Sequence, residues 1–219
     1  MRFRLTYSGP LRAKQKDALP DQTDPRAPHT HDIRRQFHGQ LKRLWKTNRF
    51  LSETKRWSND PNDRDHMADG AARWAAPENE MLPLQEFVGS RFQRDGYKFV
   101  PLVMGQWNLN CELDILFLRR DIPGSVLDAG DIDNRIKNLI DALRIPAKNE
   151  LRGNEDPGEG EDPFFVLLED DKHVTGFRVE TDTLLDPIAV DDKDQTQVKL
   201  VISVNIRPYT MTAFNLGFA

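Results

Sequence analysis

Asp131-Ile132-Asp133-Asn134-Arg135-Ile136-Lys137-Asn138-Leu139-Ile140-Asp141-Ala142-Leu143-Arg144 combines one helix and one group of polar side chains in a single run. Ile136, Leu139, Ile140 and Leu143 recur at i, i+3, i+4 and i+7, which predicts an amphipathic helix. Asp133 or Asn134 suits its N-cap, and Pro146 marks its stop. With the apolar stripe turned to a core, Asp133, Lys137 and Asp141 share one edge. Asp131, two residues before Asp133, projects to the same side if the backbone there is extended. Long helical side chains lean toward the N-terminus, which brings the Lys137 ammonium back to the level of both aspartates.

Carboxylates about 4 Å apart repel by roughly 4 kcal/mol at an effective dielectric of about 20. A shared proton or a cation relieves that repulsion. Hard divalent ions such as Mg²⁺ are commonly held by one or two carboxylates together with substrate phosphate. The partial positive charge of the helix N-terminus favours an anion in the same space. The pattern therefore outlines a phosphodiester site. A solvated Asp-Lys-Asp ladder on a helix surface is the plainer explanation of the same spacing. Glu169-Asp170-Asp171, after the apolar run Phe164-Phe165-Val166-Leu167-Leu168, adds further carboxylates at the end of an expected buried strand.

The order Asp-x-Asp-Asn-x-x-Lys, then Asp-Ala-Leu, then Asp-Asp-x-x-Val resembles the RusA family of Holliday-junction resolvases. It is carried by Asp131, Asp133, Asn134, Lys137, Asp141-Ala142-Leu143, Asp170-Asp171 and Val174. The resemblance implies that Asp131, Asp133 and Asp171 are catalytic, metal-binding carboxylates. It likewise implies that the metal is Mg²⁺, with Mn²⁺ as an alternative, and that Lys137 is a catalytic lysine. Asn134, Asp141 and Asp170 are expected to orient that group. A RusA-like chain implies a homodimer that cuts branched DNA in recombination and repair. The paired, symmetric nicks call for two sites related by a two-fold axis. Two features depart from the family. The gap before Asp170 is longer, and no Asn-containing loop follows the first strand.

Composition sets the limits. At 219 residues the chain fits a single domain with insertions at about 50–95 and 149–163. The apolar share of 38% allows a core, while 30% charged residues require long polar loops. No run is apolar enough to cross a membrane. Met1-Arg-Phe-Arg-Leu-Thr-Tyr lacks the apolar stretch of a secretion signal, and Cys111 is the lone cysteine. A cytoplasmic location is expected. The net charge of −4 disfavours a uniformly basic nucleic-acid binder, but phosphate contacts depend on local patches.

Bases concentrate near the N-terminus. Ile33 to Thr47 is expected to be a helix capped by Thr30 or Asp32, with Ile33, Phe37, Leu41, Leu44 and Trp45 inward. Its basic residues Arg34, Arg35, Lys42, Arg43 and Lys46, with Lys14 and Lys16 in the preceding loop, are the candidate DNA-backbone contacts. Alternating patterns or short apolar runs predict strands at Phe3–Tyr7, Tyr97–Met104, Trp107–Arg119, Phe164–Leu168, His173–Thr183 and Val198–Arg207. Pro101 places the second of these at an edge or bulge. The acidic, Gly- and Pro-rich 149–163 segment is expected to be a mobile insert, and the apolar tail with Phe214, Leu216 and Phe218 to dock on a neighbour or a second subunit. The expected fold class is α+β, a mixed and mainly antiparallel sheet with two principal helices. Two other functions fit the same residues: a related nuclease acting on other DNA or RNA structures, and a non-catalytic nucleic-acid-binding subunit. Asp-x-Asp metal sites of sugar transferases or phosphatases fit less well, because they leave Asn134, Lys137 and Asp170-Asp171 unexplained.

Overall fold

A computed structural model of the chain describes residues 1–13, 25–58, 80–120, 131–151, 156–185, 196–212 and 214–219, with Asp131 described in backbone only. The fold is mixed α+β. Strands β1 (Arg2–Pro10), β6 (Leu109–Arg119), β8 (Val174–Thr183) and β9 (Gln197–Pro208) form a four-stranded sheet in the order β1-β9-β6-β8. β9 is antiparallel to both of its neighbours, and β6 runs parallel to β8. Strands β4 (Gln93–Arg94), β5 (Tyr97–Val103) and β7 (Phe164–Leu168) form a second sheet, and β2 (Lys55–Trp57) pairs with β3 (Met81–Pro83).

The alternation in sequence becomes an inside and an outside. Leu109, Cys111, Leu113, Ile115 and Phe117 of β6 are buried with Val198, Leu200, Ile202, Val204 and Ile206 of β9. Glu112 and Asp114 face solvent, as expected of period-two strands. Helix α1 (Ala27–Thr47) covers this core with Ile33, Phe37, Leu41 and Trp45, and helix α4 (Asp131–Leu143) adds Ile132, Ile136, Leu139 and Leu143. Two short helices, α2 (Arg49–Glu53) and α3 (Leu84–Gly89), contribute Leu51, Leu84, Phe87 and Val88 to the same cluster. The described parts of the 50–95 region thus share the main core and are not a separate appendage.

Several boundaries differ from the sequence expectation. Helix α1 starts at Ala27, because Pro28 in its first turn needs no hydrogen bond there. His29, Thr30, His31 and Asp32 are consequently helical, and Thr30 caps nothing. Trp107 lies in a short 3-10 turn, and β6 begins after Asn108, whose φ of 53° breaks the extended run. At Pro101 β5 pairs with β7 alone, since the two-residue β4 stops short, so the missing N–H faces an unpaired edge. The tail docks in cis: Phe218 is buried against Phe50 and Trp107, and Asn215 Nδ2 donates to the Trp107 and Thr210 carbonyls. The Met1 ammonium closes this corner by donating to the carbonyls of Ile206 and Phe218.

Candidate functional site

Helix α4 is held by Asn138 and Asp141. Asn138 is buried; its Oδ1 accepts from Thr30 Oγ1 at 2.6 Å and its Nδ2 donates to the Arg12 carbonyl at 3.1 Å. Asp141 was expected on the outer edge beside Asp133 and Lys137. It is buried and its carboxylate receives Arg144 Nε at 3.1 Å and Nη2 at 2.8 Å. A four-residue helical step advances about 40° beyond a full turn, so two steps carry Asp141 from the outer edge toward the packed side. Its role is anchorage. The Arg144 guanidinium also meets Glu150 at 2.7 Å, and the buried Arg34 donates to the Asp141 carbonyl at 3.0 Å. Burial alone would lower the Arg144 pKa, but Glu150 and Asp141 outweigh it and raise the value. Arg34 lacks such close carboxylates, and burial lowers it to about 10.

Asp133 and Lys137 remain outside. Both are well exposed, and Lys137 Nζ lies 2.8 Å from Asp133 Oδ2. Asn134 is half-buried beside them. The helix already includes Asp131 and Asp133, so the extended backbone expected between them is absent. A helical turn thus replaces the strand alternation at this point, and Asp131 and Asp133 share the first turn of α4.

The second acidic group follows β7, which spans Phe164–Leu168 as its apolar run predicts. Leu168 is its last residue; Asp170 then caps a 3-10 turn, Asp171–His173, by accepting the Lys172 N–H at 3.0 Å. That backbone hydrogen bond, with Lys172 and Asp171 nearby, holds the Asp170 carboxyl below its ordinary value. Asp171 is exposed. Glu169 receives the Gly105 N–H at 2.8 Å and lies 3.3 Å from His173 Nε2, and its pKa is lowered chiefly by His173.

The registers place these two groups at opposite ends of the four-stranded sheet. The Asp171–His173 turn leads into Val174, which pairs with Cys111 near the start of β6. Asn138 instead reaches Arg12, just past the end of β1, where Leu11 bonds to Thr196 and Val198 pairs with Arg119. From Cys111 to Arg119, β6 runs roughly 26 Å. Helix α4 meets β7 through its C-terminus, where Arg144 bridges Leu168, and Asp133 lies roughly 16 Å of helix back from that point. The structure therefore does not bring Asp171 to Asp133 and Lys137. Among the described residues no group of three ligating side chains gathers, the Asp131 side chain being outside that description. What α4 offers is a hard-oxygen donor, Asp133, one turn from an ammonium. That donor type suits Mg²⁺ completed by water and phosphate.

The basic face of α1 is largely engaged within the chain. Arg34 is buried, Arg35 Nε donates to Glu161 Oε1 at 2.7 Å, and Lys42 Nζ donates to the Gly160 carbonyl. The described part of the acidic insert thus lies against α1. Burial pushes the Glu161 carboxyl up, but the Gly158 N–H and the Arg35 guanidinium outweigh this and lower it. His38 fastens the same corner: its Nδ1 accepts the Phe165 N–H at 2.9 Å and its Nε2 lies 3.2 Å from the Gly160 carbonyl. Arg43 and Lys46 stay exposed, while Lys14 and Lys16 lie outside the described residues. Sequence reasoning missed Asn138 and Arg144, since isolated polar residues on an amphipathic helix carry no periodic signal, and Glu150, since one acid in an acidic segment does not stand out. No helix among the described residues is long and apolar enough to cross a membrane. Comparison with known proteins finds no matching family model, no matching curated protein and no matching solved structure.

Proposed function

We propose that this chain is a RusA-like, Mg²⁺-dependent endonuclease that cuts branched DNA as a homodimer, with the first turns of α4 as its catalytic centre. One observation carries the reading: the order Asp131-x-Asp133-Asn134-x-x-Lys137 falls on those turns, with Asp133 and Lys137 exposed and 2.8 Å apart. Asp131 and Asp133 would hold the ion, which supplies Lewis-acid polarisation of the phosphate and an acidified water. Lys137 places its ammonium against the charge that develops on the phosphate oxygens. The helix N-terminus favours the same anion. The products carry 5′-phosphate and 3′-hydroxyl ends, as the resemblance implies.

A second reading draws on the separation of Asp171 from α4: a non-catalytic, nucleic-acid-binding chain on the same fold. Labelled four-way junction, flap, duplex and RNA substrates, each with and without Mg²⁺, distinguish the two. Symmetric paired nicks in junctions alone support resolution, and cutting of another substrate supports a related nuclease. Binding without cutting supports the second reading. Asp171→Asn extends the test, because loss of cutting with retained folding would make the β7 turn part of the centre.

A further inference from the structure

The two edges of the four-stranded sheet are treated differently. At the β1 edge, Gln40 of α1 accepts the Thr6 N–H at 2.9 Å and donates to the Thr6 carbonyl at 2.7 Å, so one side chain blocks strand addition there. At the other edge, β8 pairs with β6 on one side and with no described strand on the other. It is ten residues long and contains no proline or lysine; its register is irregular only at its start, before Gly176, and its charges are Arg178, Glu180 and Asp182. Phe177 pairs with the buried Leu113 yet is 61% exposed.

We propose that β8 pairs antiparallel with β8 of a second copy, about a two-fold axis through Val179, to join the two sheets. The charge pattern selects this occupant. In that register Arg178 stands opposite Glu180 of the partner subunit, and the symmetry repeats the pair on the other side of the axis. Gly176 meets Asp182 of the partner subunit and Phe177 meets Thr181 of the partner subunit, so no like charges oppose each other and the exposed ring gains a neighbour. Arg178 and Glu180 lie 3.2 Å apart within one chain and are 72% and 61% exposed, so both are free to turn to a facing strand. The nuclease reading asks for a two-fold pair of chains but not for this surface, and the inference does not depend on it.

The test is the oligomeric state of the full chain, by sedimentation across a dilution series. Wild type is expected to dimerise. Arg178→Glu places like charges opposite each other twice and should weaken self-association by roughly tenfold or more. Adding Glu180→Arg to that variant restores opposite charges in the same register and should restore the dimer. A wild type that stays monomeric, or a dimer indifferent to Arg178→Glu, overturns the proposal. Junction cutting is measured separately on the same samples, so a failure of this interface is distinguishable from a failure of the nuclease reading.

Discussion

Replacing Asn138 with Ala removes the polar clamp that ties α4 to α1 and to the end of β1. Two hydrogen bonds disappear, from Thr30 Oγ1 and to the Arg12 carbonyl, each contributing about 1 kcal/mol. The buried Thr30 hydroxyl then loses its acceptor, which costs about 1 kcal/mol more. The sum, about 3 kcal/mol, is a large part of the 5–15 kcal/mol typical of a folded domain. For a chain of this size it corresponds to a fall in Tm of roughly 6–12 °C. Urea titration followed by tryptophan fluorescence measures it directly. Thr30→Val, alone and combined with Asn138→Leu, isolates the pair: the double variant should lose less than the two single losses added, since neither buried partner is then left unmatched. A loss below about 1 kcal/mol in Asn138→Ala would refute the argument that this amide anchors the helix.

Glu150→Gln should destabilise the fold by about 3 kcal/mol in the same titration, because Arg144 loses one of its two buried carboxylate partners. Lys137→Ala should change stability by no more than about 0.5 kcal/mol, its ion pair being exposed, while slowing Mg²⁺-dependent cutting by about 100-fold. Acidification should destabilise the protein through His31, which burial and the neighbouring Arg34 and Arg35 lower from 6.5 to about 4. The folded state keeps this imidazole neutral while the unfolded chain protonates it. The stability it contributes is therefore complete above pH 6.5, falls as the pH drops toward about 4, and reaches a loss of about 3 kcal/mol. His29 and His38, also lowered by burial, act in the same direction. His31→Phe should flatten the slope between these limits, measured by urea unfolding at a series of pH values.

The strands were legible because each carries its own period: the alternation from Leu109 to Phe117 and from Val198 to Ile206 is the buried face of β6 and β9. Cys111 was legible for the same reason, as a small buried side chain whose thiol burial pushes up to about 12. The helical stripe of α4 was legible too, but its starting residue was not. A start at Asp131 in place of a cap at Asp133 removes the extended backbone on which the expected alignment of the two residues rested. The course of the chain after β7 was equally hidden, since Asp170 used its own carboxylate to turn the backbone into a 3-10 turn. Long-range partners left no local trace. Arg34 and Arg35 read as one basic face, yet one is buried under α4 and the other is held by Glu161, more than a hundred residues away in sequence.

The central claim, a hydrolytic centre on the first turns of α4, is tested most directly by Mg²⁺-dependent cutting of a four-way junction. Wild type is compared with Asp131→Asn and Asp133→Asn variants shown by circular dichroism to be folded. The account predicts paired nicks from wild type, lost on chelation of the metal, and no cutting from either variant. Cutting that persists in both variants, or a folded wild type that binds the junction and never cuts it, would contradict the claim.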